Sequence, residues 1–264
     1  MNPILLAVLL VAGVGVVCGL LLGLASKVFA VPEDEKAAAL EELLPGANCG
    51  GCGFSGCAGY AGALSSGTET DTAKCVAGDE DLPEQLAQVL GVAASSSEKK
   101  TAVVLCQGNA VNAELKMEYR GEHTCRAADK LYGGPKSCQY GCIGFGDCMA
   151  ACPFDAVSLC DGAAVIDPNR CKACGACVRA CPKNIIALFP VQKAAALVKC
   201  KNADKGNLAM KVCKTACIGC KKCERTCPSD AIHVTNNLAE VDRNACTACG
   251  ACVENCPKGC IVLS

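Results

Sequence analysis

The stretch CKACGACVRACP at residues 171–182 decides the fold, because its four cysteines follow the spacing C-x2-C-x2-C-x3-C and a proline follows the last one. The pattern returns as CTACGACVENCP at residues 246–257. Cysteines this close can hardly pair with one another as disulfides without strain, whereas a short loop carrying them can wrap a compact inorganic group. The two strings therefore predict small metal-dependent modules.

The composition of the whole chain agrees with this prediction. Its 264 residues include 27 cysteines and no tryptophan, and only 3% are aromatic, so we expect several small modules rather than one large aromatic core. The odd cysteine count disfavours a secreted disulfide protein, and we expect the thiols to face the reducing cytoplasm. The net charge of -1 gives no basic surplus, so we expect no nucleic-acid partner.

An uncharged apolar stretch at residues 4–25 predicts a membrane anchor. As a helix rising about 1.5 Å per residue it would be about 33 Å long, enough to cross a bilayer. A cleaved signal peptide is the alternative, but no basic residue precedes the stretch. Lys27 follows it, which favours a single-pass anchor with the remainder of the chain on the cytoplasmic side.

A first cysteine group follows the anchor, in LLPGANCGGCGFSGC at residues 43–57. Three of its cysteines are spaced C-x2-C-x4-C, and Cys75 stands further on. The glycines between them leave room for backbone to fold around a cluster and to direct N–H groups at its sulfurs. We expect a [4Fe-4S] cluster here, with structural zinc as the alternative. The four expected ligands are Cys49, Cys52, Cys57 and Cys75.

The rest of the chain is a repeat with a period of 75 residues. CIGFGDCMAACPFDAV in the first copy corresponds to CIGCKKCERTCPSDAI in the second without a gap. Each copy resembles a bacterial two-cluster ferredoxin, a small α+β fold in which hairpins lie between the two cysteine runs. The cysteines of the first copy that recur are Cys125, Cys138, Cys142, Cys148, Cys152, Cys171, Cys174, Cys177 and Cys181.

The spacing predicts which cysteines share a cluster, because in two-cluster ferredoxins the first three of a run hold one cluster and the fourth holds the other. One set is incomplete, since Phe145 stands where the middle cysteine belongs. We expect Cys138 to replace the missing ligand, the alternative being a three-iron cluster. The four expected sets are Cys138, Cys142, Cys148 and Cys181; Cys171, Cys174, Cys177 and Cys152; Cys217, Cys220, Cys223 and Cys256; and Cys246, Cys249, Cys252 and Cys227.

Seven cysteines remain outside these five sets. We expect Cys18, Cys160 and Cys260 to pack as small hydrophobic residues. A rival hypothesis assigns a sixth cluster to Cys213 together with some of Cys106, Cys125 and Cys200. That hypothesis satisfies the ligand number but lacks compact spacing, so it stays open.

No phosphate-binding glycine motif and no credible nucleophile beside a histidine occurs in the sequence, so we expect no independent catalytic site. The order of anchor, glycine-rich cysteine group and ferredoxin runs resembles the B subunit of the Rnf complexes, which are membrane ferredoxin:NAD⁺ oxidoreductases that pump Na⁺ or H⁺. The resemblance implies other membrane and cytoplasmic subunits as partners and soluble ferredoxin as electron donor. It implies a bacterial inner-membrane location, and NAD and flavin would bind to partner subunits. The alternative is an electron-input subunit of another membrane enzyme, such as a hydrogenase.

The expected domain order follows from these segments. It comprises a transmembrane anchor at 1–30, a four-cysteine [4Fe-4S] domain at 31–93, a connecting segment at 94–136, a first two-cluster unit at 137–190, a connector at 191–211 and a second unit at 212–264.

Overall fold

A computed structural model of the chain describes residues 3–28, 34–96 and 98–263. Its first element is the helix α1 (Pro3–Val28), which matches the expected anchor at residues 4–25. Within the described ranges this is the one helix long and apolar enough to cross a membrane. The residues that are described in its central part are exposed to the surroundings, as a membrane-embedded helix requires.

A small helical module, here the four-cysteine module (residues 34–93), follows the anchor. Its first helix starts where the Asp34 side chain accepts hydrogen bonds from the N–H groups of Lys36 and Ala37. Its last helix ends at Gly91, which adopts a left-handed conformation with φ 71°. The helices pack around Leu40, Tyr60 and Leu86, and Cys52, Cys57 and Cys75 lie against this core. The three helices are α2 (Glu35–Leu43), α3 (Cys57–Ser65) and α4 (Leu82–Leu90).

The first ferredoxin-like unit (residues 100–190) contains two small antiparallel sheets. The hairpin of β2 and β3 turns at Asp161 and Gly162, both with positive φ, as expected for its two-residue turn. The other sheet pairs the first and last strands of the unit. The elements are β1 (Lys100–Val104), α5 (Cys125–Asp129), α6 (Asp147–Ala150), β2 (Val157–Cys160), β3 (Ala163–Ile166), α7 (Ala176–Ala180) and β4 (Ile186–Pro190).

The second unit (residues 195–263) repeats this arrangement. Its hairpin turns at Asn236 and Asn237, again with positive φ, and its first and last strands pair with each other. The elements are β5 (Ala196–Val198), α8 (Gly206–Val212), α9 (Lys222–Thr226), β6 (Ile232–Thr235), β7 (Leu238–Val241), α10 (Ala251–Glu254) and β8 (Ile261–Leu263).

Strands in both expected connecting segments pair with strands of the ferredoxin-like units. Strand β1 lies in the segment 94–136 and pairs with β4, while β5 lies in 191–211 and pairs with β8. Each unit therefore begins with a strand that precedes its cysteine runs. The ferredoxin motifs alone could not predict this, because the first strand pairs only with the last strand of its own unit.

For one cysteine, the correspondence between the two units in the structure differs from the correspondence in the 75-residue sequence repeat. The N–H groups of Gly108 and Cys142 donate to Cys106 Sγ, and those of Asn202 and Cys217 donate to Cys200 Sγ in the same way. Cys106 is therefore the counterpart of Cys200, although the 75-residue alignment assigns that place to Cys125. Cys106 and Cys142 are 36 positions apart and Cys200 and Cys217 are 17 apart, so the first unit carries 19 extra residues. They belong to a long loop (residues 109–141).

Direct contacts join the two units. The long loop supplies the Asn112 carbonyl, which accepts a hydrogen bond from the Lys214 N–H at 2.8 Å. It also inserts Ala113 into the core of the second unit, and its Tyr140 hydroxyl lies 3.3 Å from Asp204 Oδ1. The long loop of the first unit thus packs the two ferredoxin-like units against each other.

Candidate metal centres

Of the 27 cysteines, 24 gather into six groups of four. Three of the expected sets line cavities of their own, and a fourth is a set of electrostatically interacting thiols around Cys177. The structure thus brings together the cysteines of four expected sets. They are Cys49, Cys52, Cys57 and Cys75; Cys171, Cys174, Cys177 and Cys152; Cys217, Cys220, Cys223 and Cys256; and Cys246, Cys249, Cys252 and Cys227.

In the four-cysteine module, side chains around the cavity fix the cysteine loops. Asn48 Oδ1 accepts a hydrogen bond from the Cys57 N–H at 2.8 Å and so ties the first loop to the start of α3. The buried Tyr60 donates its hydroxyl to the Asp71 carbonyl at 2.6 Å, which holds the segment leading to Cys75. The cavity formed by the four cysteines has a volume of about 310 Å³.

Beside the incomplete set of the first unit, the structure places a different cysteine from the expected one. A cavity of about 380 Å³ is lined by Cys142, Cys148 and Cys181 together with Cys125. Cys138 does not line this cavity but lies in another one. The structure thus separates Cys138 from the three cysteines it was expected to join, and Cys125 takes that place.

Cys125 reaches this cavity because α5 is anchored to α6. The carboxylate of Asp147 accepts hydrogen bonds from the N–H groups of Cys125 at 2.7 Å and Arg126 at 3.0 Å. The Thr124 hydroxyl also caps α5 by accepting from the Ala127 N–H. In the second unit, Lys222 occupies the position of Asp147. The carboxylate that holds α5 therefore has no counterpart in the second unit.

The sixth group lies between the two units, and we call it the inter-unit site. Each unit contributes two of its cysteines, and the cavity volume is about 360 Å³. The Asn202 side-chain amide, buried to 1% exposure, donates to Cys138 Sγ at 3.5 Å across the boundary between the units. The four cysteines are Cys106, Cys138, Cys200 and Cys213.

Backbone N–H groups donate to cysteine sulfurs at corresponding positions of both units. The Ala102 N–H donates to Cys171 Sγ at 3.4 Å, and its counterpart at Ala196 donates to Cys246 Sγ at 3.5 Å. Such donors stabilise thiolates and raise the reduction potential of clusters bound through them. The first strands β1 and β5 therefore belong to the sites, although they carry no ligand.

A buried lysine lies beside the inter-unit site. Lys136, 6% exposed, donates to the carbonyls of Gly108 at 2.7 Å and Gly162 at 2.6 Å. It lines the inter-unit cavity together with Lys199 and Lys201. Cationic side chains here would offset the negative charge that four thiolates and a cluster bring into a half-buried cavity.

Several buried thiols of these groups hold their protons more tightly than a free cysteine does. Burial raises the pKa of Cys148 to about 12 and the pKa values of Cys177, Cys200 and Cys223 to about 11. Because cluster irons bind thiolates, cluster assembly must displace these protons.

The spacing of the donors fits clusters rather than single metal ions. Among the described residues, no three His, Cys, Asp or Glu side chains lie close enough together to bind one ion. A structural zinc site would need four donors within about 2.3 Å of the metal. Cysteines arranged in fours around separate cavities instead suit a cubane cluster, whose irons are held at separate corners.

The remaining three cysteines belong to none of the six groups. Cys18 lies in α1 and Cys160 is exposed at the end of β2. Cys260 is buried beside the cavity of Cys217 and Cys256, with its sulfur 3.6 Å from Cys256 Sγ, at the position that Ile185 occupies in the first unit. It packs as a small hydrophobic residue, as expected. The sequence did not indicate that it lies next to a cluster site, because Cys260 stands outside the spaced cysteine runs.

Family models match most of the cysteine-rich part of the chain. A model described as a putative Fe-S cluster matches residues 44–76. A model described as a 4Fe-4S dicluster domain matches residues 135–182 and 209–257, and a second dicluster model matches 170–231. The chain therefore binds [4Fe-4S] clusters, as its cysteine spacing predicts.

Curated relatives cover nearly the whole chain. The B subunit of a Na⁺-translocating ferredoxin:NAD⁺ oxidoreductase complex from Acetobacterium woodii is 44% identical over 92% of this chain and 72% of its own length. The B subunit of an ion-translocating oxidoreductase complex from Methanosarcina acetivorans is 41% identical over 90% and 89%. A proton-translocating counterpart from Clostridium ljungdahlii is 39% identical over 92% and 86%. With these relatives and its iron–sulfur modules, the chain belongs to the B-subunit family of Rnf-type ion-translocating oxidoreductase complexes, as an iron–sulfur electron-transfer component of a membrane-associated assembly.

Proposed function

We propose that this subunit accepts electrons from reduced soluble ferredoxin and passes them to the partner subunits that reduce NAD⁺ and translocate ions. The observation that carries the proposal is the arrangement of six cysteine groups as neighbours in one continuous series. A [4Fe-4S] cluster, when bound, takes up and releases a single electron.

Each neighbouring pair in the series is linked by a contact. The four-cysteine module packs against the group of Cys174. The approach is so close that a Cβ added to Gly51 would lie 3.0 Å from the Cys174 Cα. Within each unit two groups share one ferredoxin-like fold. The inter-unit site lies against one group of each unit, since Cys106 Sγ accepts from the Cys142 N–H and Cys200 Sγ accepts from the Cys217 N–H.

We propose six ligand sets rather than five. Four sets remain as expected from the spacing, Cys125 replaces Cys138 in the set of Cys142, Cys148 and Cys181, and Cys138 joins the inter-unit set. Without the inter-unit site the two units would be separate relays. With it, a path through the protein runs from the second unit to the four-cysteine module.

Helix α1 would hold this series at the membrane. We propose that it spans the bilayer once and that the cysteine modules lie on the cytoplasmic side, where soluble ferredoxin and a reducing environment are found. The relatives are named for Na⁺ in one organism and for protons in another, so the names leave the transported ion undecided. The family does not favour the alternative of a hydrogenase subunit.

The test is ferredoxin-dependent NAD⁺ reduction by the complex purified from membranes, with and without this subunit. We expect the activity to require the subunit and to return when the cluster-loaded chain is added back. Add-back of the chain with Cys200→Ser and Cys213→Ser, which removes two proposed inter-unit ligands, should restore less activity than add-back of the wild-type chain. Full ferredoxin-dependent activity without the subunit would refute the proposal.

A further inference from the structure

Two site cysteines are exposed, and both belong to the second unit. Among the cysteines of the six groups, Cys220 and Cys249 are the exposed ones. Their counterparts in the first unit are Phe145 and Cys174, and Cys174 is only 8% exposed. The two units therefore differ in how far their equivalent faces are open to a partner.

The first unit is covered by other parts of its own chain. Phe145 packs against Tyr119 and His123 of the long loop, with ring centroids 5.4 Å and 5.1 Å apart. Cys174 is covered by the four-cysteine module, whose Cys49 carbonyl accepts a hydrogen bond from Arg179. No described residue covers Cys220 or Cys249 in this way, so the second unit is the open end of the series.

The surface around Cys220 is basic, whereas the corresponding surface around Phe145 in the first unit is not. Lys221, Lys222 and Arg225 are exposed there, and Lys258 stands at the cavity rim. The corresponding residues of the first unit are Gly146, Asp147, Ala150 and Lys183. The acidic side chains nearby are Glu224, which pairs with Lys221 at 3.7 Å, and Asp230. The charge at this face is therefore positive, and we call Lys221, Lys222, Arg225 and Lys258 the basic face.

The face around Cys249 has the opposite character. In the first unit, Lys172 and Arg179 contact the four-cysteine module through Asp79 and the Cys49 carbonyl. Thr247 and Glu254 replace these two basic residues in the second unit. An acidic partner would thus be attracted to the surface around Cys220 and repelled by the Glu254 carboxylate at the surface around Cys249.

We propose that an acidic one-electron carrier protein docks on the basic face and delivers its electron at Cys220; this rests on the proposed function and names where that function begins. One electron would pass from the reduced iron–sulfur centre of the carrier to the cluster that Cys217, Cys220, Cys223 and Cys256 would hold. No bond forms or breaks, and the carrier departs oxidised. Complementary charge orients such encounters and raises their rate, most strongly at low ionic strength.

The test compares two charge-reversed forms of the full-length, cluster-loaded chain. One carries Lys222→Glu and Arg225→Glu in the basic face. The control carries Lys36→Glu and Lys130→Glu, which change the net charge equally at exposed positions of the four-cysteine module and the long loop. Stopped-flow bleaching of the cluster absorbance would be followed with a reduced acidic two-cluster ferredoxin and, separately, with a reduced zwitterionic viologen.

We expect the basic-face variant to react with ferredoxin about tenfold more slowly than wild type at low salt, with the difference vanishing at high salt. The control variant and all viologen rates should match wild type. Equal ferredoxin rates for the two variants would overturn the docking site while leaving ferredoxin as donor. A wild-type chain that the viologen reduces and ferredoxin does not would overturn the donor itself, and the docking site with it.

Discussion

At the scale of single residues, the assignment of Cys125 depends on one carboxylate. Asp147 holds the N-terminus of α5 against α6 and so brings Cys125 to the cavity of Cys142 and Cys148. The sequence favoured Cys138 because it lies four residues before Cys142 in the chain. Closeness in the chain does not show that the long loop folds back, since the Cys125 N–H and the Asp147 carboxylate that it contacts are 22 positions apart.

The separation of Cys125 from Cys138 predicts additive effects. Each of Cys125→Ser and Cys138→Ser should disturb one cluster, and the double variant should lose about eight irons rather than about four, because the two sulfurs belong to different sites. Iron per chain and EPR of the reduced protein would measure this. Cys160→Ser is the matched control and should lose none. If the double variant loses no more iron than either single variant, the two cysteines belong to one cluster and the separate assignment is wrong.

At the scale of elements, the sequence predicted more of the fold than of its connections. The expected anchor is present as the helix α1, and each unit has the expected hairpin between its two cysteine runs. These elements follow from local signals such as caps, turn residues and apolar runs. The pairing of β1 with β4 and of β5 with β8 could not be predicted from local signals, because each pair joins the two ends of a unit.

The contact between the four-cysteine module and the first unit leaves no room for a side chain at Gly51. In Gly51→Ala the new Cβ would lie 2.5 Å from Val76 Cγ2 and 3.0 Å from the Cys174 Cα, so we expect the module to shift and stability to fall by about 1–3 kcal/mol. Magnetic coupling between the clusters of Cys49 and Cys174 in the reduced protein should weaken. The control Gly62→Ala places its Cβ in open space on α3. Undiminished coupling in Gly51→Ala would contradict the close approach.

Helix α1 is separable from the metal sites, because none of the six cysteine groups includes a residue of α1. A chain that begins at residue 34 should therefore be soluble, keep its iron and visible absorbance, and fail to assemble with membrane partners. Fractionation of cells in high salt, with iron determined in each fraction, would check this outcome. A truncated chain that stays in the membrane fraction would show a second means of attachment.

At the scale of the whole molecule, the chain is a series of cysteine groups with a covered first unit and an open second unit. The four-cysteine module and the long loop cover the faces of the first unit, and the long loop also joins the second unit through Asn112, Ala113 and Tyr140. The sequence contained a clue to this arrangement, since a strand followed by a cysteine occurs both at AVVLC and at ALVKC. The 19 extra residues hid the correspondence from a repeat with one fixed period.

The central claim is that the two units share a sixth cluster through Cys106, Cys138, Cys200 and Cys213. Its most direct test is the iron and acid-labile sulfide content of the full-length chain, purified without oxygen, beside the Cys213→Ser variant. Six clusters predict about 24 irons per chain and a loss of about four in the variant. A wild-type chain with about 20 irons, unchanged by Cys213→Ser, would contradict the inter-unit site.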